Sequence, residues 1–316
     1  MQWLRRLRAW LFIRLGLWRG RWRRAQVKVS GVRFFAGAVN LRAWRYGLYV
    51  PAGLADDVAA PLIVVLHGCK QRALNFAFAT GWTGFADRAR VRLLCPDQRR
   101  LANLFRCWNW FHPLAQGGKG ELDVVLAMLD DVARRVRVAR VGAVGMSAGG
   151  GLAALLAFHY PARFTAVATV AAPPLIGMNM QSPHSVMQRG LAMSPLLALG
   201  ARHDACAPLA VVHGAQDDVV NPRCAEQLLA QALESQRRAG VHPAKVELTP
   251  QDADVAVTDF RTASGPVVRS VLVRGLAHVW TGGPGGHPFC EKNGPPLTTL
   301  CAQFLRDAGL FSTKAT

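Results

Sequence analysis

From residue 46 onward, short apolar runs rich in Val, Ile and Leu alternate with longer stretches of helical character. Short unbroken runs suit strands buried on both faces, and the longer stretches suit helices that cover them. The pattern predicts strands at 46–50, 62–66, 92–95, 140–144, 166–170, 210–213, 245–248 and 268–273, and helices at 75–89, 121–135, 149–159, 223–238 and 297–307. Strand and helix in alternation define an α/β class, with a mostly parallel central sheet and helices on both faces. Residues 176–208, punctuated by Met, Ser and Pro, fit neither pattern and are expected to form an insertion that shapes a pocket.

The chain has 316 residues, 51% of them hydrophobic, enough to bury one large core without division into two. No internal repeat and no Ser- or Gly-rich linker divides it. Charge changes the picture at one end only. Of the net +19, the first 55 residues supply twelve Lys and Arg with no Asp or Glu, which leaves +7 for the other 261. The excess sits in MQWLRRLRAWLFIRLGLWRGRWRR and not in a basic groove across the fold, so no specific nucleic-acid partner is expected. Residues 1–40 are expected as a basic, Trp-rich arm, and 41–312 as the domain that carries the chemistry. Residues 1–24 have the composition of a segment that lies on an anionic membrane surface; the alternative is a solvated extension. As a secretory signal the arm is defective, because Arg14 interrupts its apolar run and no small-residue cleavage site follows. No run of about eighteen apolar residues predicts a spanning helix. Seven cysteines are scattered without a CxxC pair or Cys/His ligand spacing, and neither a structural metal nor a cofactor is expected.

The strongest chemical signal is Val141-Gly-Ala-Val-Gly-Met-Ser-Ala-Gly-Gly150, where a predicted strand turns into a predicted helix through Gly145-x-Ser147-x-Gly149. Small flanking residues let a serine stand on a strained turn with its hydroxyl clear of the sheet. Chance gives a GxSxG roughly 0.08 times in a chain of this composition, so the strand before and the helix after carry the assignment. Neither GxGxxG nor a Lys-Ser/Thr phosphate loop accompanies it, which argues against a nucleotide-binding turn.

A serine nucleophile needs a base, and the base needs an orienting acid, in the chain order Ser, Asp or Glu, His. His278 follows a predicted strand on a loop loosened by glycines and is the candidate base, with His287 and then His242 as alternatives. His159, in the helix after the serine, points to a structural role. Asp217 is the candidate acid, in a second strand that runs into an HG turn and HGAQDDVVNP. Asp218 is the alternative, with one of the pair left to cap the helix near Pro222. Two donors for the developing oxyanion are expected: the backbone N–H of Ala148, and that of Cys69 in the turn His67-Gly68-Cys69. The sulfur of Cys69 is left open between nucleophile, metal ligand, half of a disulfide and filler.

These residues resemble the esterases of the polyhydroxybutyrate-depolymerase type within the α/β-hydrolase fold, a group that includes feruloyl and acetylxylan esterases. The resemblance covers about residues 45–310 and rests, in order, on RYGLYVPAGL, LHGCKQ, the stretch from Gly81 to Arg88, CPDQRR, RCWNWF, GMSAGG, HGAQDDVVNP and GLAHVWTGG. It implies a triad of Ser147, Asp217 and His278, with Cys69 and Ala148 as oxyanion donors. It also implies a disulfide from Cys69 to Cys107, a staple beside the catalytic centre that suits an oxidising compartment. A secreted or periplasmic location is therefore expected, with a cytoplasmic or membrane-peripheral one as the alternative. Cys206 with Cys224 and Cys290 with Cys301 are further candidate pairs. The chain departs from the family pattern in its Arg/Trp arm, in Cys95 where an aromatic is usual, and in Met178 and Asn179 near where many members carry a cysteine.

Trp108, Asn109 and Trp110 lie on a loop near the expected site, and Trp280 two residues past the base, which makes them candidate substrate-binding residues. Core packing is the alternative for Trp108 and Phe111. An aromatic lining suits an aliphatic polyester repeat or a feruloyl ring equally. The expectation is a serine esterase acting on short-chain polyhydroxyalkanoate or its oligomers, with a feruloyl or acetylxylan esterase as the runner-up. From another class, the alternative is an inactive hydrolase scaffold that binds membrane or polyanion.

Overall fold

Along Leu62-Ile-Val-Val-Leu66, side chains point alternately to two different cores: Leu62, Val64 and Leu66 to one, Ile63 and Val65 to the other. A strand buried on both faces needs a covering layer on each, and helices supply both layers. The computed structural model describes residues 20–29, 33–34, 39–40, 43–177, 181–200, 204–249 and 253–311. Within them, β1 (Arg21–Lys28), β2 (Ala43–Val50), β3 (Ala60–Leu66), β4 (Arg92–Asp97), β5 (Val138–Met146), β6 (Ala166–Val170), β7 (Leu209–Gly214), β8 (Ala244–Leu248), β9 (Val255–Thr262) and β10 (Gly265–Val273) form one ten-stranded sheet. Their order is β1-β2-β4-β3-β5-β6-β7-β10-β9-β8. The central run from β4 to β10 is parallel, and antiparallel strands extend it at both edges.

The longer helices are α1 (Ala73–Ala79), α2 (Trp82–Ala89), α3 (Glu121–Arg135), α4 (Ala148–His159), α5 (Pro183–Arg189), α6 (Arg223–Arg238) and α7 (Leu297–Asp307), with one further turn at Pro113–Gln116. Leu122, Met128, Leu152 and Leu228 place α3, α4 and α6 on one core; Phe76, Trp82 and Phe304 place α1, α2 and α7 on the other. The mostly parallel sheet with helices on both faces expected from the pattern is the architecture found, and it is the α/β-hydrolase fold that the family resemblance implied. Among the described residues no helix is long and apolar enough to cross a membrane.

Three expectations change. The helix expected over 75–89 is two, because Gly81 takes φ 86°, a left-handed conformation that a helix interior does not use. Arg21–Lys28, assigned to the arm, is an edge strand paired antiparallel with β2, with the Trp22 ring 5.0 Å from Tyr49 and Arg23 bonded to Asp56. Residues 1–19, 30–32 and 35–38 of the arm lie outside the described residues. β9 was not expected at all. The insertion at 176–208 lies, where described, against α6, whose Gln227 and Gln231 side chains bond Leu191, Leu175 and Pro195.

All the loops that carry candidate residues leave the C-terminal ends of parallel strands: β3 leads to Cys69, β5 to Ser147, β7 to Asp217 and β10 to His278. In an open α/β sheet that is the end where a crevice forms and ligands bind.

Candidate active site

β5 ends at Met146 and α4 begins at Ala148, so Ser147 alone makes the turn, at φ 56° and ψ −124°. A non-glycine residue is strained there, and the strain persists because both backbone groups are held. The Ser147 N–H donates to Val170 O at 2.9 Å, and Ser147 O accepts from Gly151 N at 2.9 Å. The flanking glycines follow from sterics. A Cβ on Gly145 would overlap the Gly149 carbonyl, and one on Gly149 would fall 2.5 Å from His67 O.

Asp217 and His278 meet through a second close approach. Gly214 leaves β7 packed so tightly on the loop after β10 that a Cβ would overlap Leu276 O. Ala215 N donates to Val273 O at 2.9 Å and Gln216 N to Leu276 O at 3.0 Å, which joins the two loops. One residue later Asp217 Oδ2 lies 2.7 Å from His278 Nδ1, and Asp217 Oδ1 accepts from Val219 N at 3.0 Å and Val220 N at 2.7 Å. An ionised carboxylate only accepts, so Nδ1 carries the proton and the Nε2 lone pair is left to take another. Asp217 and His278 are buried, whereas Asp218 is exposed. Neither aspartate caps α6: its first N–H, Arg223 N, donates to Asn221 Oδ1 at 3.0 Å. His242 is exposed in the loop between α6 and β8, and His159 bonds Gln116 O at 2.9 Å, a structural role. His287 is partly buried and supplies its carbonyl to Cys290 N.

A second histidine, His213, stands 3.5 Å from the same Asp217 oxygen and bonds Val220 O at 2.8 Å. Burial holds its pKa below the ordinary value, so it backs the carboxylate as a neutral ring.

The loop after β3 lies against the serine: a Cβ on Gly68 would sit 3.4 Å from both Ser147 Cβ and Met146 O. His67, fully buried, accepts from Gln98 N at Nε2 (3.1 Å) and so donates from Nδ1 to Gly68 O at 2.8 Å. Burial lowers the pKa of His67 and keeps it neutral for this task. With the Gly68 carbonyl fixed, the N–H of Cys69 on the opposite side of that trans peptide is fixed too. Cys69 is disulfide-bonded to Cys107, 38 residues on, the pairing the family resemblance implied. Cys206, Cys224, Cys290 and Cys301 are free buried thiols, so the two further candidate pairs do not form.

The four residues expected to bind substrate are buried instead. Trp280 is inaccessible, edge-on to Phe76 with its ring N–H bonded to Thr298 Oγ1 at 3.1 Å. Trp108 is inaccessible beside His67, and Trp110 packs on Gly151 of α4. Asn109 is clamped by Glu121, which accepts from its backbone N–H and its amide. Large aromatics next to a site fill core as readily as they line a pocket, and spacing does not separate the two. Exposed apolar side chains include Leu104 and Phe105 on the disulfide-tied loop, and Phe289, whose ring lies edge-on to His278 at 5.7 Å. A recess of about 530 Å³ opens against His278, walled by Val219, Leu276, Val279 and Phe289, with Asp218 and Glu291 among its polar lining. Ser147 is not part of that lining.

An α/β-hydrolase sheet, a strained serine turn and a buried Asp–His pair at the same sheet end define the class. Residues 44–244 match the family described as "Esterase PHB depolymerase", and the chain belongs to that family. It is 27% identical over 262 residues to poly(3-hydroxyalkanoate) depolymerase C of Paucimonas lemoignei, covering 78% of this chain and 60% of that protein. The chain thus spans less than two thirds of that relative's length. Feruloyl esterase B of Thermothelomyces thermophilus is 28% identical over 201 residues, 58% of this chain and 67% of that one. Among solved structures, an acetyl xylan esterase from Aspergillus awamori shares the fold at a TM-score of 0.64 and 15% identity, covering 81% of this chain and 94% of that one. A poly(3-hydroxybutyrate) depolymerase from Bordetella parapertussis does so at 0.53 and 18%, over 85% and 87%.

Proposed function

We propose that the chain is a serine esterase in which Ser147, His278 and Asp217 act as a triad. Ser147 Oγ attacks the ester carbonyl as His278 Nε2 takes its proton. The tetrahedral oxyanion is held by the backbone N–H groups of Cys69 and Ala148, and His278 returns the proton to the leaving alcohol as the C–O bond breaks. Water, deprotonated by the same nitrogen, attacks the acyl-enzyme; the bond from the acyl carbon to Ser147 Oγ breaks, Oγ takes the proton back from His278 Nε2, and the acid leaves. Asp217 keeps the proton on Nδ1 and stabilises the imidazolium that forms in each half. The observation that carries this proposal is the 2.7 Å contact between His278 Nδ1 and Asp217 Oδ2, at the sheet end that also bears the Ser147 turn.

For substrate, we favour the esters of short-chain polyhydroxyalkanoate or its oligomers, supported by the family match and by the depolymerase relative. Feruloyl or acetyl esters on polysaccharide are the second reading, favoured by the feruloyl esterase relatives and the acetyl xylan esterase fold. Turnover of dispersed polyhydroxybutyrate against methyl ferulate, with a Ser147→Ala control, separates them. Fast release from the second with none from the first would reverse the order. The Cys69–Cys107 disulfide supports work in an oxidising compartment, secreted or periplasmic.

A further inference from the structure

Gln71 has no part in the chemistry above, yet it is fully buried beside it and uses both ends of its amide. Its Oε1 accepts from the Gly68 N–H at 2.7 Å, while its Nε2 donates to Pro288 O at 2.6 Å and lies 3.6 Å from Cys290 Sγ. The first bond is to the loop that carries Cys69, and the second spans 217 residues of sequence to the loop that follows His278.

Each bond fixes something the proposed reaction needs. Gly68 is clamped on both sides, its N–H by Gln71 and its carbonyl by His67, so the peptide that presents the Cys69 N–H cannot rotate. On the far loop, Pro288 O is held by Gln71 and Phe289 O by Trp280 N at 2.8 Å. Carbonyls pinned on either side of Phe289 hold it at φ 56°, and in that conformation its ring lies edge-on to His278.

We infer that Gln71 is a positioning residue, a single side chain that sets the oxyanion donor loop and the Phe289 wall of the base in register with each other. The inference rests on the serine-esterase proposal, and its test separates the two.

Kinetics on a soluble short-chain ester, well below each variant's Tm, are compared for the wild type, Gln71→Met, Gln71→Glu and Ser147→Ala. Gln71→Met keeps the length and loses both bonds. The expected result is a fall in kcat of roughly 10- to 100-fold with KM within about twofold, since misplacing a donor costs less than deleting one. Gln71→Glu keeps the acceptor for Gly68, and only its protonated form has a hydrogen for Pro288 O. The kcat of Gln71→Glu relative to wild type should therefore rise as pH falls from about 8 to about 5, a rescue that loss of packing alone does not produce. If Gln71→Met keeps kcat within twofold of wild type, or the Gln71→Glu ratio is flat with pH, Gln71 is not a positioning residue, even if Ser147→Ala is inactive. An active Ser147→Ala overturns the esterase proposal itself, whatever Gln71 does. Should Gln71→Met fail to fold, the pH ratio of Gln71→Glu decides.

Discussion

Asp217 meets His278 at 2.7 Å with one carboxylate oxygen while the other accepts two backbone N–H groups from Val219 and Val220. The carboxylate is thereby aimed by its own chain, so the imidazole inherits a fixed tautomer and orientation. Asp217→Asn presents an N–H to one of these donors or to the ring, and favours the wrong tautomer. It should lower kcat for a soluble ester by about 10³ to 10⁴, whereas Asp218→Asn, on an exposed neighbour, should leave it nearly unchanged. Steady-state kinetics of the two variants check this, and a comparable loss in both would misplace the acid.

The disulfide links Cys69 to Cys107 across 38 residues. Closing a loop of that size restricts the unfolded chain, and the Cys69→Ser/Cys107→Ser double variant should lose about 2–4 kcal/mol of stability. Its kcat should fall as well, because Lys70 N bonds Phe105 O at 2.6 Å and the two loops move together. Denaturant melts with and without reductant measure the first effect; a wild type indifferent to reduction would show that the staple contributes nothing.

Glu121 is buried against Gln98 and Asn109, and burial raises its pKa from 4.5 to about 7 despite three donors that favour the anion. Between those values the folded protein holds a proton that the unfolded chain has released. Its contribution to stability is therefore fully present below about pH 4.5 and is lost as pH rises through about 7, roughly 3 kcal/mol in all. Relative to Glu121→Gln, the wild type should become progressively less stable across this range. Unfolding free energies at several pH values test it, and a constant gap between the two proteins would contradict it.

Truncation separates the arm from the sheet. Removing residues 1–19 leaves β1 in place and serves as the reference. Removing residues 1–28 strips β1 from β2, with the Trp22–Tyr49 contact and the Arg23–Asp56 pair, and should lower Tm by several degrees. Equal Tm for the two truncations would mean that the edge strand adds no stability.

Much of the fold and the site was legible because sterics there leave few choices. Leu62–Leu66 is apolar without a break, which only a strand buried on both faces tolerates, and Gly145 and Gly149 bracket Ser147 because no Cβ fits. β9 was missed because a buried charge interrupts its apolar pattern: Asp259 is inaccessible, paired with Arg269 of β10 at 2.5 and 2.9 Å, and that pairing exists only once the strands are side by side. β1 was missed for a related reason. An edge strand facing solvent has little apolar periodicity, and RWRRAQVK buries only Val27 fully. Trp108, Trp110 and Trp280 are buried where a substrate lining was expected, because sequence gives their nearness to the site and not their direction. Phe289 left no signal of its own, and Gln71 none beyond its place in LHGCKQ, since the first acquires its place from a left-handed turn and the second from a partner 217 residues away.

The most direct test of the central claim is to treat the protein with a fluorophosphonate and map the adduct by mass spectrometry, alongside residual esterase activity. The expected result is a single adduct on the peptide containing Ser147, formed in step with loss of activity and absent from Ser147→Ala. An adduct elsewhere, or esterase activity retained by Ser147→Ala, would contradict the account.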